Sequence, residues 1–137
     1  MVQQLSRVAF KIDTEDDVVI VRRKVRELAH HRGLDSFATA GITTAASELA
    51  RNVFAHAKRG EAVIEEVSDG VRMGLRLRFE DKGPGIADLQ RALAGGFSTA
   101  RSLGLGLSGS RRLVDEFEID TVVGRGTVVT VTKWARF

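Results

Sequence analysis

The chain has 137 residues, of which 43% are hydrophobic and 28% charged, with a formal net charge of +3 and no cysteine. These values are typical of a soluble globular protein that forms one domain with a core of its own. The lack of cysteine excludes disulfides, thiolate metal sites and cysteine nucleophiles.

Membranes and nucleic acids are not expected partners of this chain. No apolar run approaches the ~18 residues of a membrane span, and the N-terminus lacks the apolar stretch of a secretion signal. We therefore expect a cytoplasmic protein. The chain has one Trp and no Tyr, and basic residues alternate with acidic ones over much of its length, so the features typical of nucleic-acid binding are missing.

One strand and two helices are predicted in the first part of the chain. Residues 7–12 alternate polar and apolar side chains, which predicts a strand. A helix is predicted to follow Asp13 or Thr14, with an acidic first turn, and to run to about His31. A second helix is predicted from about residue 35 to residue 58, with a break around Gly41.

A hairpin of two strands, residues 61–67 and 71–80, is predicted around the turn at residues 68–70. The second strand alternates strictly, with apolar residues on one face and charged residues on the other. This pattern predicts a sheet that is covered by helices on one side and open to water on the other. If the strand extends to Asp81, that carboxylate faces the covered side, where it needs hydrogen-bond donors.

The remainder of the chain predicts a short helix at residues 86–94, a polar loop at 95–103 that can act as a lid, and a helix from Gly104 through Phe117. A closing hairpin follows, with strands 119–123 and 127–134. Thr127 is in phase with the buried residues of its strand. No linker or internal repeat is present, so residues 1–137 are predicted to form a single domain.

Polar side chains at one-turn spacing mark the second helix. Glu48, Asn52 and His56 are spaced i, i+4, i+8 and share one face. An acid and an amide in this arrangement offer a base and a neutral oxygen ligand, which suits Mg²⁺. His56 is assigned only a structural role at the end of the helix.

The run from Gly104 to Gly109 matches the pattern G-x-G-x-x-G. A dinucleotide site is rejected because no strand precedes the run and no acid follows about 20 residues later. A protein-kinase glycine loop is rejected because its partner motifs are missing. What remains is a set of backbone amides at a helix N-terminus, which can bind an anion such as phosphate. An ordinary helix entry with a flexible loop is the alternative. Together with Glu48, Asn52, Asp81 and Thr127, these amides predict a pocket for an adenine nucleotide with magnesium.

These motifs, in this order, resemble those of the GHKL ATP-binding family, which includes gyrase, Hsp90, histidine kinases and anti-sigma serine kinases. Residues 48–56 resemble its N box, and residues 81–86, 104–107 and 124–127 resemble its three glycine boxes. The motifs cover most of the chain.

Three further stretches, residues 42–52, 96–99 and 112–117, are similar to the serine/threonine kinases of the bacterial stressosome within this family. The sequence departs from that pattern at residues 100–102, where glycines are common, and at Leu105 and Ser108.

The resemblance implies a two-layer α/β sandwich, the Bergerat fold, with a mixed sheet and helices on one face. It implies that Asp81 binds the adenine amino group of ATP and that Thr127 helps to hold the adenine. Asn52 is expected to bind Mg²⁺, and Glu48 to act as the general base or to position the attacking group.

The glycine boxes are expected to hold the rest of the nucleotide. Gly83 and Gly85 belong to the first, while Gly104 and Gly106, with Leu105 between them, present backbone amides to the phosphates. From its charge and its place in the lid, we also expect Arg101 to neutralise charge on the transferred phosphoryl group.

The resemblance further implies a kinase that phosphorylates a Ser or Thr of a STAS-domain antagonist or a stressosome scaffold protein. On release, such a kinase is expected to activate a PP2C-type phosphatase. An anti-sigma factor of the same family that sequesters a sigma factor is the alternative, and a module without nucleotide binding is a third interpretation. Retention of Glu48, Asn52 and Asp81 argues against the third.

Overall fold

The computed structural model describes residues 1–89, Leu93 and residues 103–136, with side chains for all of these except residues 103–106. The elements in chain order are β1 Gln3–Ile12, α1 Glu15–His31, α2 Ser36–Ala57, β2 Gly60–Ser68, β3 Met73–Asp81, α3 Leu103–Leu113, β4 Glu116–Val122 and β5 Gly126–Trp134.

Within the described residues, the strands form one sheet in the order β1-β2-β3-β5-β4. The predicted α/β sandwich is confirmed, but the prediction of a mixed sheet is wrong because every neighbouring pair in this sheet is antiparallel. The physical reason lies in the order of the strands. β3 and β4 run in the same direction, but β5 lies between them, so no parallel pair forms.

Side-chain caps define the ends of the first two helices. Thr14 begins α1 through a capping box, in which its Oγ1 accepts the Asp17 N–H at 3.3 Å and the Asp17 carboxylate accepts the Thr14 N–H at 3.0 Å. The Asp35 carboxylate caps α2 by accepting a backbone N–H at 2.7 Å. Lys58 ends α2 in a left-handed conformation with φ of 69°. The expected break at Gly41 is wrong, since α2 continues through it.

Two boundaries in the second half differ from the prediction. Residues 86–88 are not helical, although a short helix was expected to begin there. α3 ends at Leu113, and Phe117 lies in β4 rather than in the helix. The Asp115 backbone N–H already donates to the Thr132 carbonyl of β5 at 2.9 Å, so the chain has joined the sheet before Phe117.

The core lies between the helices and one face of the sheet. On β3, Leu75, Leu77 and Phe79 are buried as predicted, whereas Met73 is 36% exposed. Among the core residues that pack against them are Val21, Val25, Ile42, Leu49, Val53, Ile64 and Val131. The opposite face carries charged residues that pair across strands, such as Glu65 of β2 with Arg76 of β3 at 3.6 Å.

Glu66 is a buried acid on β2, with only 6% of its surface exposed. It accepts a hydrogen bond from Arg32 Nε at 2.7 Å and one from the Ser6 hydroxyl, and it lies 3.3 Å from His31 Nδ1. Burial raises the pKa of this carboxyl, but hydrogen bonds from these three side chains outweigh it and lower the pKa. The cluster therefore ties the end of α1 to β1 and β2.

We predict that Glu66→Gln lowers the free energy of unfolding by about 1–3 kcal/mol at neutral pH, because a buried charge-assisted network loses its charge. The folded-state pKa is depressed, so the contribution is complete above the ordinary value of 4.5 and is lost as pH falls below it. Urea unfolding at pH 7 and at acid pH measures both effects, and the two proteins should converge at the acid end.

The matched control is Glu65→Gln. Among the described residues, this neighbour has one ion pair, to Arg76 at 3.6 Å on the other face of the sheet, so its loss should cost about 0–1 kcal/mol. Equal losses in the two variants would contradict the assigned role of the Glu66 cluster.

Candidate functional site

Four strands contribute one aligned row of residues at the end of the sheet. Gly60 of β2 pairs in register with Asp81 of β3, Asp81 with Thr127 of β5, and Thr127 with Thr121 of β4. Thr127 is 8% exposed, which confirms that this position faces the buried side. β3 extends to Asp81, as the predicted orientation of its carboxylate requires.

A pocket lies beside this row, against the C-terminal half of α2; its empty space is about 410 Å³ when the open solvent at its mouth is included. Four predicted site residues, Asn52, Asp81, Gly85 and Thr127, line it together. The rest of its wall is Leu49, Val53, His56, Phe79, Pro84, Ile86, Leu107 and Val129. An apolar wall with a few convergent polar groups is typical of a small-molecule site, and it can accept the flat faces of a purine.

Asp81 has acceptor capacity left for a ligand. One oxygen of its carboxylate accepts the Gly83 backbone N–H at 2.9 Å. An ionised carboxylate has about four acceptor positions, so the Asp81 carboxylate can also accept hydrogen bonds from an amine in the pocket.

The glycines of the first glycine box allow its backbone to pack closely against α2 and β4. A Cβ on Gly83 would lie 2.7 Å from Ala57 Cβ at the end of α2. Gly85 has φ of 75°, and a Cβ there would lie 2.5 Å from the Val122 carbonyl oxygen. Gly85 lines the pocket, whereas Gly83 acts by donating to Asp81, so the ligand contact expected of Gly83 stays a prediction.

Thr121 is a polar residue that the sequence analysis missed. Its Oγ1 lies 2.8 Å from Thr127 Oγ1, accepts the Ile86 N–H at 2.9 Å and lies 3.3 Å from the Gly126 carbonyl oxygen. The sequence could have indicated this contact. Thr121 and Thr127 each lie three residues from Gly124 in the turn of the closing hairpin, so they are opposite each other on the two strands.

Asn52 and Glu48 lie differently relative to the pocket, although they are one turn apart on α2. Asn52 lines the pocket, and its Nδ2 is buried with no hydrogen-bond partner among the described residues. Glu48 does not line the pocket; its side chain is 41% exposed and bonds to Arg51 Nη1 at 2.8 Å. His56, which was assigned only a structural role, is also part of the pocket wall.

The donor set fits a magnesium nucleotide. Asn52 offers an amide beside the pocket, and Mg²⁺ commonly takes only one or two protein oxygens, with nucleotide phosphates and water completing its shell. Asp81 offers acceptors and the apolar wall offers a surface for a base.

Three of the predicted phosphate-binding residues, Gly104, Leu105 and Gly106, lie in the first turn of α3. The next residue, Leu107, lines the pocket and is 1% exposed, so this turn lies beside the site. The first backbone amides of a helix have no partner within it and can bind an anion. Leu103, the last residue of the predicted lid, belongs to α3. Arg101 and the rest of that lid lie outside the described residues, so their roles stay predictions.

Residues 12–133 match the histidine kinase-like ATPase domain, and the chain belongs to this family. The chain is 44% identical to the serine/threonine-protein kinase RsbT of Bacillus subtilis over 126 residues, which is 92% of this chain and 95% of that protein. The prediction of a kinase-type enzyme of this family is thereby confirmed.

Two further similarities are to an anti-sigma factor and to a solved structure. The chain is 31% identical to the anti-sigma F factor of Thermoanaerobacter sp. over 101 residues, 69% of each chain. Its fold is similar to the crystal structure of the RsbU and RsbW domains of Rv1364c from Mycobacterium tuberculosis, with a TM-score of 0.65 and 24% identity over 96% of this chain and 34% of that one. The structural similarity supports the fold.

We predict that Asp81→Asn weakens ATP binding by about 10–100-fold, since a charged acceptor is replaced by an amide that offers a donor where an amine is expected. Calorimetric titration with ATP and magnesium measures the dissociation constant.

Asp120→Asn is the matched control, because Asp120 lies on β4 near the same end of the sheet but is exposed. Its ATP affinity should equal that of the unmodified protein. Unchanged affinity in the Asp81 variant would remove Asp81 from the adenine site.

Proposed function

We propose that this protein is a serine/threonine kinase of a bacterial partner-switching stress pathway. It transfers the γ-phosphoryl group of ATP to a Ser or Thr of a STAS-domain antagonist or stressosome scaffold protein. The convergence of Asn52, Asp81, Gly85 and Thr127 on one pocket carries the proposal. The similarity to RsbT over 92% of the chain supports the kinase assignment.

The adenine base occupies the pocket with its amino group toward Asp81. The carboxylate accepts from the amine, while Thr127 lies beside it in the same row of the sheet. The side chains of Phe79, Leu107 and Val129 surround the base with apolar surface. Exclusion of water strengthens the hydrogen bonds to the carboxylate, because the local dielectric constant is lower than that of bulk water.

The phosphates extend from this pocket toward the first turn of α3, where Gly104, Leu105 and Gly106 offer backbone amides. Asn52 would hold Mg²⁺ through its side-chain oxygen, and the metal would supply positive charge at the phosphates. Phosphoryl transfer depends mainly on positioning and charge stabilisation, so few side chains need to take part in bond making.

Glu48 accepts the proton of the attacking hydroxyl, or positions it, from the turn before Asn52. The Arg51 ion pair competes for this carboxylate, so Glu48 must turn from Arg51 toward the acceptor when the partner binds. Arg101, in the lid segment, neutralises charge on the transferred group.

The proposed partners are a STAS-domain protein and a PP2C-type phosphatase. The STAS-domain protein supplies the acceptor hydroxyl, and on release the kinase binds and activates a PP2C-type phosphatase. Among the described residues, no helix is both long and apolar enough to cross a membrane. We place the protein in the cytoplasm, with residues 1–137 acting as one catalytic domain.

A second candidate function is an anti-sigma factor that sequesters a sigma factor, which is favoured by the 31% identity to the anti-sigma F factor of Thermoanaerobacter sp.. Co-purification with a sigma factor, rather than with a STAS-domain protein, would favour this function.

We predict that Glu48→Ala retains ATP affinity and slows phosphoryl transfer by about 100-fold or more, because removal of a general base typically costs that much. The assay incubates the protein with γ-labelled ATP, magnesium and a set of STAS-domain proteins, and locates the label on a Ser or Thr.

Glu27→Ala is the matched control, since Glu27 is also a helical acid with an ion pair at i,i+3 spacing, to Lys24 at 2.8 Å. This variant should transfer at the unmodified rate. Transfer at that rate by the Glu48 variant would exclude Glu48 as the base, and no label on any STAS-domain protein with the unmodified kinase would contradict the proposed substrate class.

A further inference from the structure

We propose that Thr121 is a positioning residue of the nucleotide site, and that it makes the Thr127 hydroxyl an acceptor toward the base. Thr121 and Thr127 face each other across β4 and β5, in the row that also contains Asp81. Thr121 does not line the pocket, so it acts on the nucleotide through Thr127. This inference rests on the proposed binding of ATP.

We assign the direction of the proton between the two threonine hydroxyls from their other hydrogen-bond partners. The Ile86 N–H donates to Thr121 Oγ1 at 2.9 Å, and the Thr121 hydroxyl donates to the Gly126 carbonyl oxygen at 3.3 Å. With its own proton used, Thr121 Oγ1 accepts the proton of Thr127 at 2.8 Å. Every donor in this series of hydrogen bonds then has an acceptor within the protein, which is the state that a half-buried site favours.

As a consequence, Asp81 and Thr127 offer the base only hydrogen-bond acceptors. With the Thr127 proton held by Thr121, the remaining lone pairs of Thr127 are left beside the Asp81 carboxylate. An exocyclic amine carries two N–H donors and no competing acceptor, so it suits this pair. A carbonyl oxygen at the same position of the base meets two acceptors and is repelled. Thr121 therefore favours adenine over hypoxanthine, which has that carbonyl.

The same hydroxyl also anchors the first glycine box. Ile86 follows Gly85, and the Gly124 N–H donates to the Pro84 carbonyl oxygen at 2.8 Å. Two hydrogen bonds thus hold residues 84–86 against the closing hairpin. A purely structural role for Thr121 would act through this anchor alone and would weaken both nucleotides equally.

The test compares the affinities of ATP and inosine triphosphate in the presence of magnesium, measured by calorimetry, for Thr121→Val and Thr121→Ser. The valine variant frees the Thr127 proton to turn into the pocket, so the preference for ATP should fall by about tenfold, the worth of one or two hydrogen bonds. The serine variant keeps the hydroxyl and should retain the preference. Thr130→Val, on the other face of β5, should change neither affinity.

Thr127→Val provides a second measurement that does not disturb the Ile86 bond. It should lose the same preference, and the double variant with Thr121→Val should lose no more, because both changes remove one shared interaction. An unchanged ratio in Thr121→Val, or an equal loss in Thr121→Ser, would overturn the inference while leaving ATP binding intact. Failure of the unmodified protein to bind either nucleotide would instead overturn the proposed function.

Discussion

The antiparallel register between β3 and β5 places Asp81 beside Thr127, and the candidate site depends on this pairing. A shift of one residue in either strand would turn one of the two side chains to the charged face of the sheet. The apolar positions of the same strands hold the register, because Leu77 pairs with Val131 and Phe79 with Val129 in the core. The packing that stabilises the sheet therefore also fixes the positions of Asp81 and Thr127 at the end of these two strands.

Two polar side chains of this row have a hydrogen-bond partner close by. Asp81 has the backbone N–H of Gly83, and Thr127 has the hydroxyl of Thr121. Asn52 differs, since its Nδ2 has no partner among the described residues. A buried amide nitrogen without an acceptor costs free energy. The atom to which the proposed function assigns the metal is the oxygen of the same side chain.

Much of the fold and part of the site follow from local sequence patterns. Period-two alternation in β3 and β5 correctly predicted that Asp81 and Thr127 face the buried side, since side-chain direction in a strand depends only on the parity of the position. The order of strands was not predictable in the same way. The order depends on the insertion of β5 between β3 and β4, and a local sequence pattern does not indicate which strands become neighbours.

Two differences between the sequence prediction and the structure have physical causes. The apolar residues near Phe117 fit a helix as well as a strand, so the predicted helix is too long and the predicted strand begins at residue 119 rather than at Glu116. The i, i+4 spacing of Glu48 and Asn52 suggests a shared direction. Each step of four residues rotates a side chain by roughly 40° beyond a full turn, so Asn52 and His56 reach the pocket while Glu48 lies outside it.

The base of ATP is proposed to bind at the end row of the sheet. A crystal structure with a non-hydrolysable ATP analogue and magnesium would show where the base lies. The predicted result is an adenine amine hydrogen-bonded to the Asp81 carboxylate, with the phosphates at the first turn of α3. A nucleotide bound with its base away from Asp81 and Thr127 would contradict it.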